Sequence, residues 1–112
     1  MLVARSGIAI VGTLTLVTKK PWAIDTKYFT AVRRALYVLD MAVAPDYQRK
    51  GIGRRMLDEA AEIARTWPRE AIRLDAYDAV AGAGAFYARC GYREVGRVTY
   101  RGTPLVYFEY LV

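Results

Sequence analysis

Apolar and polar positions alternate with a period of two from Ile8 to Val17, where Ile8, Ile10, Leu14 and Leu16 share one face and Thr13 and Thr15 the other. A short apolar piece at 2–5 and the Ser6-Gly7 turn signal precede it. The pattern predicts an antiparallel hairpin with strands over 2–5 and 8–18, closed by Lys19-Lys20-Pro21. From Trp22 to Arg34 two readings stay open: Tyr28, Phe29 and Val32 on one helical face, or a long connection. Trp22 is expected to be a core or lid aromatic, with a substrate contact as the lesser alternative. Ala35–Val43 is a continuous apolar run and reads as a buried strand, interrupted by Asp40. A carboxylate inside such a run needs a partner or a function.

The period changes at Gly51. Ile52, Met56, Ala60, Ile63 and Trp67 recur at spacings of three and four, the apolar stripe of a helix over 51–67 that Pro68 stops. Arg54–Asp58 and Arg55–Glu59 on its outer side are expected i,i+4 pairs. Ala71–Tyr77 follows as a strand with Ile72, Leu74 and Ala76 on one face. Strand, helix, strand at this spacing makes a βαβ unit with its two strands parallel. Asp78 is placed to cap a short, small-residue helix over 81–89 that ends at Gly91. Tyr92–Tyr100 and Leu105–Leu111 form a second antiparallel hairpin around Arg101-Gly102-Thr103-Pro104. The predicted class is α/β (α+β), one domain over 1–112, with about six strands and two or three helices in a mixed, mostly antiparallel sheet.

Composition narrows the chemistry. Of the 112 residues 54% are hydrophobic, enough for a folded core. There is no histidine and one cysteine, Cys90. That removes His-dependent triads, His-ligated metals, an intrachain disulfide and cysteine clusters. Carboxylates, tyrosine, lysine or water are left to move protons. No apolar run approaches the ~20 residues of a membrane span, and no signal-peptide layout is visible, so a cytoplasmic location with no membrane partner is expected. The net charge of +6 suits an anionic ligand, nucleic acid or an acidic partner without choosing among them.

One stretch does choose. After Val43 a Pro/Asp loop leads to two glycines that open the long helix, and Arg49, Lys50, Arg54 and Arg55 surround its start, with no acid before Asp58. A helix N-terminus carries about +0.5 of partial charge and prefers acids. Cations there make sense when a multiply charged anion sits on the free N–H groups. The plain alternative is that Gly51 and Gly53 only shape a tight strand-to-helix turn.

Asp40-Met41-Ala42-Val43, the Pro loop and Gln48-Arg49-Lys50-Gly51-Ile52-Gly53 resemble motif A of the GNAT superfamily of acyl-CoA-dependent N-acetyltransferases, whose pattern is Q/R-x-x-G-x-G/A. Tyr87-Ala88-Arg89-Cys90-Gly91-Tyr92 is similar to the family's later Y-x-x-x-G-F/Y signature, at the right spacing. The resemblance runs over about 2–112 and departs in two places. The family's asparagine seven residues before the tyrosine is Val80 here, with Asp78 as a partial substitute. The family's opening strand and two helices have no counterpart before the first hairpin, so two readings stand: the chain is a truncation, or a second subunit completes the acceptor side as a homodimer.

The resemblance implies a GNAT-like sheet with splayed central strands and acetyl-CoA as co-substrate. Backbone groups of Met41, Ala42 and Val43 would bond the pantetheine arm, and Gln48, Arg49, Lys50, Gly51, Ile52, Gly53 and Arg54 would hold the pyrophosphate. A neutral amine would attack the thioester directly, with Tyr87 as general acid toward the thiolate and Asp40 as base, directly or through water; Asp40 as a structural carboxylate is the alternative. Cys90 reads as a packed thiol rather than an acyl carrier. The acceptor would be a small-molecule or protein primary amine. Two other functions remain: a CoA-binding module without turnover, and a basic nucleic-acid-binding domain, ranked below because no helix-turn-helix or aromatic-basic sheet signature is present.

Overall fold

The computed structural model describes residues 1–7, 9–78 and 84–112. The described chain runs β1 (Leu2–Ser6), β2 (Ala9–Val17), β3 (Ala35–Val43), α1 (Ile52–Thr66), β4 (Ala71–Tyr77), α2 (Gly84–Arg89), β5 (Arg93–Tyr100) and β6 (Thr103–Leu111). Six strands lie in the order β1-β2-β3-β4-β6-β5, and β3–β4 is the one parallel pair of this mixed α/β sheet. The first part of the short helix expected over 81–89, and Val80, fall outside the described residues.

α1 and α2 cover one face of the sheet. Leu14, Leu36, Val38, Ile72 and Leu74 meet Met56, Leu57, Ala60, Ala61 and Ala64 there, with Tyr87 and Tyr92. Leu57, Ala61 and Ala64 widen the buried stripe of α1 beyond the expected one, and Trp67, past the last turn, is half exposed. The expected Arg54–Asp58 and Arg55–Glu59 ion pairs do not form; on α1 it is Arg65 that pairs with Glu62, at i,i+3. These outward side chains are surrounded by water, where such a pair gains only a few tenths of a kcal/mol.

The first hairpin corrects the simple alternation. Ala4 pairs with Gly12 but Arg5 pairs with Ile10, so Val11 is an extra residue in β2. The bulge inverts the facing: Val11 is 3% exposed and Ile10 is 57% exposed. The second hairpin turns more tightly than expected. Arg101 (φ 50°) and Gly102 (φ 81°) form a two-residue loop with both residues left-handed, and Thr103 and Pro104 already belong to β6.

Segment 18–34 is a connection with one 3₁₀ turn, Thr26–Tyr28, rather than an α-helix, and it straps the other sheet face. Ile24 and Phe29 pack with Ala35, Tyr37 and Tyr107. Trp22 is exposed, correcting its expected core or lid position. A turn closed by Ile24 N–H to Pro21 C=O (3.2 Å), with Lys20 Nζ on both carbonyls, points Ile24 inward and leaves Trp22 at the tip. The strap is fastened by polar groups. Tyr107 Oη donates to Ala23 C=O and accepts from Asp25 N–H; Glu109 accepts from Thr30 N–H, Thr30 Oγ1 and Arg93. Arg73, also buried, donates to Thr30 C=O (2.8 Å) and Tyr37 Oη (3.1 Å).

Burial of Glu109 opposes its charge, but the bonds from Thr30 and Arg93 outweigh it and hold the carboxyl below the usual range. A lowered carboxyl pKa contributes stability above the unfolded value of about 4.3, lost as pH falls further, through the folded value. Glu109→Ala is expected to lower unfolding free energy by about 2 kcal/mol at pH 7, since it strands Thr30 N–H under the strap. Urea titration should show that difference shrinking toward pH 3; a difference constant with pH would contradict the assignment.

Candidate functional site

The site starts from a bulge in β3. Thr13 pairs with Ala42 and Thr15 with Leu39, so Leu14 faces two β3 residues, Asp40 and Met41. Asp40 has φ 50°, a left-handed conformation that aspartate tolerates better than most residues. The extra residue shifts the side-chain phase. Leu36 and Val38 pack toward the helices before it, and Met41 and Val43 do so after it. A bulged strand also bends. Parallel pairing of β3 with β4 covers only Ala35–Tyr37 against Ala71–Arg73, although both strands continue to Val43 and Tyr77. Past Tyr37 and Arg73 the two strands splay, leaving two backbone edges across a gap.

The loop after β3 is built by local bonds. Ala44 N–H donates to Val11 C=O (2.7 Å), Pro45–Tyr47 makes one 3₁₀ turn, and Gln48 Nε2 donates to Val43 C=O (3.1 Å). Gly51 then takes φ 81° as the α1 N-cap and offers no side chain to cap the helix. The first bond of α1 is Arg55 N–H to Gly51 C=O (3.0 Å), so the N–H groups of Ile52, Gly53 and Arg54 have no intrahelical acceptor. Arg49, Lys50, Arg54 and Arg55 are exposed, and none forms an ion pair among the described residues.

The opposite wall is set by the end of α2. Tyr92 N–H donates to Tyr87 C=O (3.0 Å) and Gly91 N–H to Ala88 C=O (3.1 Å), with Gly91 at φ 88°. This is a Schellman cap, and its usual apolar contact is the Tyr87–Tyr92 ring pair, 6.0 Å apart. The spacing Y-x-x-x-G-Y therefore encodes the cap: the first tyrosine three residues inside the end, glycine in the left-handed position, the second tyrosine packed back. Phe86 and Phe108 complete the clamp on the Tyr87 ring, at 5.4 and 5.7 Å. Tyr87 Oη lies 4.0 Å from Met41 Sδ. Burial, then the nearby Asp75 carboxylate and Cys90, push the Tyr87 phenol up, so it stays protonated at neutral pH.

Between these walls is a cavity of about 450 Å³. Of the expected site residues it brings together Met41, Ala42, Val43, Gln48, Arg49, Gly51, Ile52, Gly53 and Tyr87. Lys50 and Arg54 flank it without lining it, and Lys50 Nζ lies 5.4 Å over the Tyr47 ring. Asp40 stays outside the lining, exposed on the bulge. Sequence reasoning passed over Tyr47, Phe86 and Arg89, which also line the cavity. Arg89 adds a cation to the cavity and had a signal, its place inside the tyrosine motif; Phe86 and Tyr47 had none. Cys90 packs partly against the core, and burial, ahead of the opposing Arg54 charge, pushes its thiol up. That fits a packed thiol.

The helix start suits a polyanion, and the two free strand edges suit an extended chain that needs backbone partners. A family model for the acetyltransferase (GNAT) domain matches residues 1–94. The chain belongs to this family of GNAT acetyltransferases, which transfer acetyl groups from acetyl-CoA.

Solved structures agree on the fold. An IAA acetyltransferase from Bacillus cereus ATCC 14579 superposes with TM-score 0.75 at 19% identity, over 98% of this chain and 75% of the other. A ribosomal-protein-alanine N-acetyltransferase from Brucella melitensis gives TM-score 0.77 at 22% identity, over 98% and 67%. A Bacillus subtilis acetyltransferase in complex with CoA gives 0.73 at 17%, over 98% and 74%. The chain thus spans about two thirds to three quarters of the length of these neighbours. No protein of curated function matches its sequence.

Proposed function

We propose that the protein transfers an acetyl group from acetyl-CoA directly to a primary amine. The observation that supports this is that Tyr87, its Oη 4.0 Å from Met41 Sδ, lines the same cavity as the uncapped start of α1. Bound acetyl-CoA supplies an activated thioester. The N–H groups of Ile52, Gly53 and Arg54 bind its pyrophosphate, helped by Gln48, Arg49, Lys50, Gly51 and the Arg54 side chain. Met41, Ala42 and Val43 present the free β3 edge to the pantetheine arm, as a sheet edge receives an added strand. Burial keeps the Tyr87 phenol protonated, and from the cavity wall it donates to the departing thiolate. The amine must also lose a proton; Asp40, the expected base, is exposed on the bulge outside the cavity lining.

The acceptor is a small-molecule or protein amine. Among the described residues no helix is long and apolar enough to cross a membrane. Calorimetry with acetyl-CoA and with duplex DNA tests the reading. Saturable acetyl-CoA binding without DNA binding is expected; DNA binding without acetyl-CoA binding would overturn it.

A further inference from the structure

Asp75 has no place in the site described so far. It stands on β4 two residues past Arg73, where pairing with β3 ends, so it borders the splay. Ile72, Leu74 and Ala76 pack toward the helices. With the two-residue period of a strand, Asp75 therefore belongs to the opposite, strap-covered face. Its partner across the ladder is Tyr107, which packs on that face. Tyr87 packs on the helix face with its Oη 4.0 Å from Met41 Sδ, on β3 beyond the splay, and the Asp75 carboxylate adds to the upward shift of both the Tyr87 and the Tyr107 phenols.

Asp75 is half-buried and unmatched. Among the described residues it enters no ion pair, and neighbouring Tyr107 Oη is committed to Ala23 and Asp25 of the strap. Burial outweighs a bond from its own backbone and pushes the carboxyl up. The neighbouring buried carboxylate, Glu109, is bonded on both oxygens. Asp75 is thus a carboxylate with no ion-pair partner among the described residues, just past the end of the β3–β4 pairing and on the sheet face opposite the helix-side cavity.

We propose that Asp75 receives the acceptor as an alkylammonium ion and takes its proton, from the sheet face opposite Tyr87. This rests on the acetyl-transfer reading above. Asp75 accepts one proton from R–NH3⁺, and the freed nitrogen attacks the thioester carbonyl. The C–N bond forms and the C–S bond breaks. Tyr87 protonates the sulfur and regains a proton from the new amide nitrogen, and Asp75 releases its proton to water. The acceptor class is therefore a cationic amine, not the anionic one that a +6 chain suggests at first sight.

The test compares ethylamine, an ammonium ion at neutral pH, with hydroxylamine, which is already the free base there. CoA release from acetyl-CoA is followed for the full chain and for Asp75→Asn and Asp40→Asn. Asp75→Asn is expected to lower kcat/KM for ethylamine about 100-fold or more and for hydroxylamine by less than about threefold. Its melting temperature should equal or exceed that of the parent, because an unpaired carboxylate leaves the interior; Asp75→Ser gives the same rate pattern should the amide disturb packing. Equal losses on both amines, no loss, or the amine-selective loss appearing in Asp40→Asn instead would overturn the assignment. Absence of acetyl-CoA binding by the parent chain would fell the acetyl-transfer reading itself, whereas parent activity without the Asp75 pattern fells only this inference.

Discussion

Gly53→Leu is expected to weaken acetyl-CoA binding by at least about 100-fold while the protein still folds. A Cβ at Gly53 would stand 2.9 Å from both Met41 Cε and Phe86 Cζ, the ends of two side chains that wall the cavity. A single methyl can be met by small movements of those ends, so Gly53→Ala should weaken binding about tenfold. Leucine adds three further carbons beside the same two cavity-lining side chains. The loss should reach at least about 100-fold in Kd, or about 2.8 kcal/mol. Helix propensity acts in the other direction: leucine gains up to about 1 kcal/mol over glycine within a helix, which offsets local crowding. Calorimetry read beside the melting temperature separates the two effects. Leucine tolerated at full affinity would place the ligand elsewhere.

Tyr87→Phe is expected to lower kcat by about 100- to 1,000-fold and leave the acetyl-CoA Kd within about threefold. The ring keeps its contacts with Phe86, Tyr92 and Phe108, and the lost hydroxyl has only Met41 Sδ, at 4.0 Å, as a protein contact. The phenol's pKa is raised, so the acid form persists through the ordinary tyrosine value of about 10 and is lost only as pH rises beyond it. Between pH 7 and 9 the parent enzyme should therefore show no falling limb from this group. A fall in that range, or an unchanged kcat in Tyr87→Phe, would remove Tyr87 from proton donation to the thiolate.

The parts legible in the sequence are those whose physics is local. The βαβ unit followed from a buried run, a 3.6-residue stripe and a second short run. Gly91 was legible as a helix C-cap, and the tyrosine motif around it through its likeness to the family signature; the structure shows that its spacing is that of a Schellman cap. The turn at Gln48–Gly53 stood out because its charges oppose the ordinary preference of a helix start. What stayed hidden depends on strand partners. Asp40 drew attention as a charge in an apolar run, yet its visible role is conformational: it takes φ 50° at a bulge that only the β2 register reveals. Asp75 alternates with Ile72, Leu74 and Ala76 and reads as an ordinary solvent-facing residue. Nothing local says that the strap covers that face, or that β3 turns away beside it. The same applies to Arg73 and Glu109, buried by a segment some 40 to 80 positions earlier in the chain.

The central claim, that acetyl-CoA lies between the free β3 edge and the open start of α1, is met most directly by amide NMR of the labelled chain titrated with CoA. Saturable shifts are predicted at Met41–Val43 and at Gly51–Arg54, with smaller ones at Tyr87 and Arg89. Shifts confined to β1, β5 or the strap, or none at millimolar CoA, would contradict it.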